Sequence, residues 1–159
     1  VNTTHQDEYM TAIRTSGTAL FLLALIGFAP IHAEDKKPNM KLPPLDAKEW
    51  KKLESGMKVW DVKEGKGTAC PADAEVEVHY TGWLTNGEVF DSSHKRGETI
   101  TFPLSGVIKG WTTGVPGMKP GGIRRLMIPP ELAYGAQKKG PIPANSTLIF
   151  EIELISVKK

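Results

Sequence analysis

Reactive side chains are few and scattered in this 159-residue chain. Of its 4 histidines, two lie near the N-terminus and two, His79 and His94, lie in separate stretches further on. With a lone cysteine, Cys70, they do not make the clustered ligand set that a metal requires. Ser92 and Ser93 follow Asp91, but no histidine is placed by spacing to activate a hydroxyl. Phosphate-loop, dinucleotide and nucleophile-elbow signatures are absent. Hydrolase, metalloenzyme and nucleotide-enzyme chemistries therefore lack their parts, and no cofactor or metal is expected.

What remains is a set of rings and aliphatic side chains near the ends of candidate elements. They are Tyr80, Phe90, Ile100, Phe102, Val107, Ile108, Trp111, Tyr134, Ile142 and Phe150, with one acid, Asp91, beside Phe90. Taken singly, most such residues belong to a core. The tyrosines are the exceptions, because a buried phenol needs a partner for its hydroxyl. Asp91 can serve Tyr80 across a hairpin, and Tyr134 sits in a loop. In Val107-Ile108-Lys109-Gly110-Trp111, helical spacing would stack Val107 over Trp111. Gly110 costs such a helix about 1 kcal/mol against alanine and leaves room for a close neighbour. The helix either buries its apolar face in a sheet or offers Trp111 as the floor of an apolar pocket.

The elements that would position these residues are mostly strands. Lys58 to Lys63 reads as one, closed by Gly65-Lys66-Gly67. Glu75 to Leu84 alternates, with Val76, Val78 and Tyr80 on one face and Glu75, Glu77 and His79 on the other. Asn86-Gly87 is a hairpin turn, and Glu88 to Asp91 returns with Val89 and Phe90 on opposite faces. Ser92 to Glu98 reads as a polar loop, and Thr99 to Leu104 as a strand. The Trp111 helix follows and ends at Pro116-Gly117. Ile123 to Ile128 and Thr147 to Val157 are further strands, with one helical turn at most over Glu131 to Tyr134. Asp46 and Glu49 have the spacing of a capping box, so a short helix is expected over residues 47–54. The expected fold is α+β: a curved antiparallel sheet of five to six strands, one face covered by a short helix and the other meeting water.

At 40% hydrophobic and 24% charged, the composition suits one globular domain, and a net charge of +2 is too weak to suggest nucleic acid. Ala19 to Ala29 is an uncharged apolar run of 11 residues, preceded by Arg14 and followed by Pro30-Ile31-His32-Ala33. A membrane span needs about 20 residues, so residues 1–33 read as a secretory signal peptide cleaved after Ala33. Asp7 and Glu8 are acidic where such a leader is basic, which leaves Met10 as an alternative start. Residues 34–56 then form a proline-rich linker and the short helix, and 57–159 the domain. The mature protein is expected in the periplasm, or secreted, as a monomer without stable membrane insertion.

Several separated motifs together resemble the FK506-binding-protein family of peptidyl-prolyl isomerases. They are Val78-His79-Tyr80-Thr81-Gly82, Asn86-Gly87-Glu88-Val89-Phe90-Asp91-Ser92-Ser93, Val107-Ile108-Lys109-Gly110-Trp111, Ile128-Pro129-Pro130-Glu131-Leu132-Ala133-Tyr134-Gly135 and Thr147-Leu148-Ile149-Phe150-Glu151-Ile152-Glu153-Leu154. The match runs in order from about Ser55 to Val157, and its nearest look is a single-domain exported bacterial member. The resemblance implies a strongly bent sheet wrapped around one short helix. It implies isomerisation of proline-containing polypeptides and binding of FK506- or rapamycin-type macrolides. It places Tyr80, Phe90, Asp91, Trp111, Tyr134 and Phe150 in catalytic positions, and Arg96, Ile100, Val107, Ile108 and Ile142 in substrate-binding ones. Arg96 falls where a pocket-edge arginine pairs with the aspartate, and Ile142 where a loop isoleucine caps the pocket. Ile100 stands where some members have phenylalanine, and the Gln137–Pro141 loop departs from the best-known members. A non-catalytic binding module of the same fold, holding unfolded exported chains, is the competing reading.

Overall fold

The computed structural model describes residues 40–158. The leader and the first part of the linker lie outside the described residues. In chain order the strands are β1 (Lys51–Lys52), β2 (Lys58–Lys63), β3 (Glu75–Leu84), β4 (Val89–Ser92), β5 (Ile100–Pro103), β6 (Ile123–Ile128) and β7 (Leu148–Lys158). They form a 7-stranded sheet in the order β1-β2-β6-β7-β3-β4, with β5 also paired to β3. Every pairing is antiparallel. The short helices are α1 (Ser93–Arg96) and α2 (Lys109–Gly114).

Strand β3 organises the sheet. One edge pairs with β7 along its whole length. The other is shared: Glu75 to Val78 pair with β5, and Thr81 to Trp83 with β4. The inner face carries the core, including Val76, Val78, Leu126, Ile128, Leu148, Ile152 and Leu154. Helix α2 packs onto that face against β6. A Cβ on Gly110 would lie 2.4 Å from the Ile128 side chain, and one on Gly114 would lie 2.7 Å from Leu126. The space that Gly110 leaves is thus filled by the sheet. Arg124 of β6 donates to the Gly114 and Pro116 carbonyls at 2.8 and 3.3 Å, capping the helix C-terminus with a cation.

Four expectations are corrected. Val107 does not ride on the helix above Trp111. It is extended (φ −106°, ψ 176°), and Ile108 is the N-cap of α2. The helix expected over 47–54 does not form either. Trp50 N donates to Ala47 O at 3.3 Å in a single turn, and Lys51–Lys52 then pair with Val59 and Lys58. So short a helix is marginal by itself, whereas β1 gains backbone partners. Trp50 meanwhile lies edge-on to Trp60, with ring centroids 5.7 Å apart.

Third, the polar loop after Ser92 contains a helical turn. The Ser92 hydroxyl caps α1 by accepting from Lys95 N at 3.4 Å, and Gly97 closes it at φ 75°. Fourth, the outer face of the sheet is not all in water. Trp83 and Ile149, paired across β3 and β7, are fully buried yet stand apart from the main core. Trp83 Nε1 donates to Met40 O at 3.1 Å, and Pro43 is buried. Residues 40–44, expected as part of an extended linker, are thus tied to this face at Met40.

Gly110→Ala sets helix propensity, which favours alanine by about 1 kcal/mol, against overpacking onto the buried Ile128, which costs about 1–3 kcal/mol. The clash involves Ile128 carbons close to its backbone, so overpacking is expected to win. Urea unfolding of the variant should give a lower midpoint at unchanged slope. A raised midpoint would mean that α2 is not held at this distance.

Candidate functional site

A cavity of about 570 Å³ opens between α2, the concave side of the sheet and the loop after β6. Its base is the Trp111 indole, on the first turn of α2 and only 4% exposed. Three rings meet the indole nearly at right angles: Tyr80 from β3 and Phe150 from β7, each with centroids 5.4 Å away at 87°, and Phe102 from β5 at 5.8 Å and 83°. Such edge-to-face contacts hold an aromatic plane in one orientation. Phe90 continues the wall, edge-on to Phe150 at 5.5 Å. Gly82, between these two rings, has no room for a Cβ: one would lie 2.5 Å from Phe90.

The hairpin chemistry explains how Phe90 and Asp91, neighbours in sequence, both reach this cavity. Asn86 Oδ1 accepts from Glu88 N at 3.0 Å, and Gly87 takes φ 91°. The register then slips: Trp83 pairs with Val89, but Gly82 pairs with Asp91. Phe90 is the extra residue of a β-bulge, and a bulge re-aims side chains that strict alternation would send to opposite faces.

Asp91 is the only carboxylate among the described residues that line the cavity, and it is fully engaged. The Tyr80 hydroxyl donates to one oxygen, and Arg96 Nη1 to the other at 2.5 Å. Arg96 Nη2 also reaches the Tyr80 hydroxyl at 3.3 Å. Arg96 is delivered from the last residue of α1. Burial works against ionisation of Asp91, but the hydrogen bonds from Tyr80 and Arg96 outweigh it and hold the carboxyl below its ordinary value. Burial, with Asp91 as acceptor, pushes the Tyr80 phenol up to about 12. The Tyr134 phenol is also raised, by burial first and then by the Asp91 charge. Its hydroxyl has no hydrogen-bond partner among the described residues, nor does the Ile108 N–H.

Most of the residues named from sequence come together here: Tyr80, Phe90, Asp91, Val107, Ile108, Trp111, Tyr134 and Phe150 line the cavity. Arg96, Ile100 and Ile142 do not line it. Arg96 acts on the site through Asp91. Ile100 packs on the core from β5, and Ile142, 5% exposed, is itself a core residue anchoring the loop. Phe102, Gly106 and Lys139 line the cavity without having been assigned to it. Phe102 had a signal, since it shares a strand face with Ile100. Lys139 had none, because only the folded loop carries it to the rim.

A family model for the FKBP-type peptidyl-prolyl cis-trans isomerase matches residues 66–155. The chain belongs to that family. It is 49% identical over 110 residues to the peptidyl-prolyl cis-trans isomerase Mip of Coxiella burnetii, covering 69% of this chain and 48% of Mip. It is 50% identical over 106 residues to FK506-binding protein 1 of Dictyostelium discoideum, covering 65% of this chain and 99% of that protein. Among solved structures, FkpA from Escherichia coli matches with a TM-score of 0.68 at 46% identity, over 71% of this chain and 53% of that one. The chain thus spans about half the length of Mip and of FkpA, and nearly all of the smaller protein.

The charge network has a measurable signature. In a carboxyl-carbon NMR titration, Asp91 should titrate below the ordinary value of about 3.9. Its stabilising contribution is then present above that value and fades as pH falls through the lower folded one. In the Tyr80→Phe, Arg96→Ala double variant, only the Ser92 backbone hydrogen bond still opposes burial, and the Asp91 titration should move upward from its wild-type position. An unmoved titration would break the account.

Proposed function

We propose that this chain is a peptidyl-prolyl cis-trans isomerase of exported polypeptides, and that the cavity over Trp111 is where X–Pro bonds rotate. The observation that carries the reading is a pocket walled by rings whose one carboxylate is already neutralised by Arg96 and Tyr80. Rotation about a peptide C–N bond meets a barrier of ~18–20 kcal/mol, because resonance gives that bond double character. Lowering the time from tens of seconds to milliseconds takes about 10⁴-fold, or roughly 5–6 kcal/mol. The planar amide is charge-separated, and the twisted transition state is less so. A water-poor apolar site therefore favours the twisted form.

Trp111 would carry the proline ring, with Tyr80, Phe90, Val107, Ile108 and Phe150 around it. The Ile108 N–H and the Tyr134 hydroxyl, both without partners among the described residues, would hold substrate carbonyls. Asp91 would fix Tyr80 and Arg96 rather than move a proton. Ile100 and Ile142 would support the walls from behind. The same pocket would take FK506- and rapamycin-type macrolides. Residues 1–33 would be a cleaved signal peptide and the mature protein a periplasmic monomer. This part rests on the apolar run before Ala33 and is checked by N-terminal sequencing of the exported protein.

In a refolding or peptide isomerisation assay, Asp91→Ala and Trp111→Leu should each lower kcat/KM at least tenfold, about 1.4 kcal/mol of transition-state stabilisation. FK506 should inhibit the wild type by competing with peptide. Full activity in both variants would remove the pocket from the mechanism. Suppressed aggregation without any isomerisation would show a binding module instead.

A further inference from the structure

Lys139 is the only cation among the described residues lining the cavity, as Asp91 is the only carboxylate. Asp91 is bonded to Arg96 and Tyr80, so its charge is spoken for. Lys139 has no ion pair or side-chain hydrogen bond among the described residues, and it is exposed. Its backbone is nevertheless pinned. Lys139 N donates to Ile142 O, and Ile142 N to Lys139 O, both at 2.9 Å. Gly140 turns the chain between them at φ 54°, and Ile142 is buried in the core. The loop therefore presents an uncompensated positive charge at the mouth of an otherwise apolar pocket, from a fixed point.

We propose that Lys139 is a specificity residue that favours proline substrates carrying a carboxylate side chain next to the proline. The inference rests on the isomerase reading, since it names the substrate class of the same site. A neighbouring Glu or Asp gains a favourable charge at the rim, and a neighbouring Lys or Arg meets repulsion. A Leu beside the proline feels neither. Because the ammonium is solvated, the effect is a preference of a few-fold, and it is screened by salt.

The test uses matched proline peptides with Glu, Leu or Lys placed before the proline, and a second set with the same residues after it. Rates are read by exchange NMR, which needs no coupling protease. In at least one set the wild type should turn over Glu about two- to fivefold better than Lys at low salt. That ratio should approach one in Lys139→Gln, invert in Lys139→Glu and shrink in 0.5 M salt. It should persist in Lys138→Gln, which removes an equal charge from an adjacent residue outside the cavity lining. If Leu peptides are turned over but the Glu-to-Lys ratio is the same in wild type and Lys139→Glu in both sets, the inference is overturned and the isomerase reading stands. If no enzyme form isomerises the Leu peptides, the reading itself falls, and this inference with it.

Discussion

Two glycines of α2, Gly110 and Gly114, lie against Ile128 and Leu126 of β6 at distances that no Cβ could share. That close approach sets the depth at which the helix enters the concave face of the sheet. The depth in turn sets the height of the Trp111 indole relative to Tyr80, Phe102 and Phe150. The three rings contact the indole edge-on from three different strands, so they oppose its tilting in any direction. A helix of six residues would not persist alone. It is held by this packing, and by the Arg124 side chain on its last carbonyls.

The carboxylate of the site is held in a closed charge network, while Lys139 stays exposed at the mouth. A lone carboxylate beside an apolar cavity would draw water in. Arg96 and the Tyr80 hydroxyl neutralise and saturate Asp91 instead. Two local devices make this possible: the bulge that turns Phe90 and Asp91 together toward the cavity, and the Ser92-capped α1 turn that brings Arg96 back. Among the described residues, the Tyr134 hydroxyl and the Ile108 N–H at the cavity wall have no hydrogen-bond partner.

The outer face shows the same economy of surface. Arg125 stacks over Trp60 at 4.4 Å and pairs with Glu151 at 2.7 Å, while Trp50 leans on Trp60. The Trp83 indole donates to the Met40 carbonyl, and Pro43 is buried. The segment before the domain's first long strand is therefore part of the packed structure, which a composition of charges and prolines does not suggest.

Period-two alternation in β3 and β7, the Asn86-Gly87 turn, and the strand Ile123 to Ile128 were legible because they are local: each depends on neighbours two or three residues away. The site residues were legible partly through the same alternation and partly through family motifs. The capping box at Asp46 and Glu49 misled, because β1 pairing on β2 outweighs a short helix. Stacking Val107 over Trp111 misled, because α2 starts at Lys109, two residues after the apolar pattern begins. The bulge at Phe90, the burial of Trp83 under Met40, and the arrival of Lys139 at the cavity mouth depend on contacts between residues far apart in the chain. No window of sequence contains both partners of such a contact. Sequence alone thus determined the longer strands and the ring-rich composition of the pocket. Tertiary packing decided how those rings face one another, which charge is cancelled and which is left exposed, because distance between remote side chains is a property of the folded sheet and not of spacing along the chain.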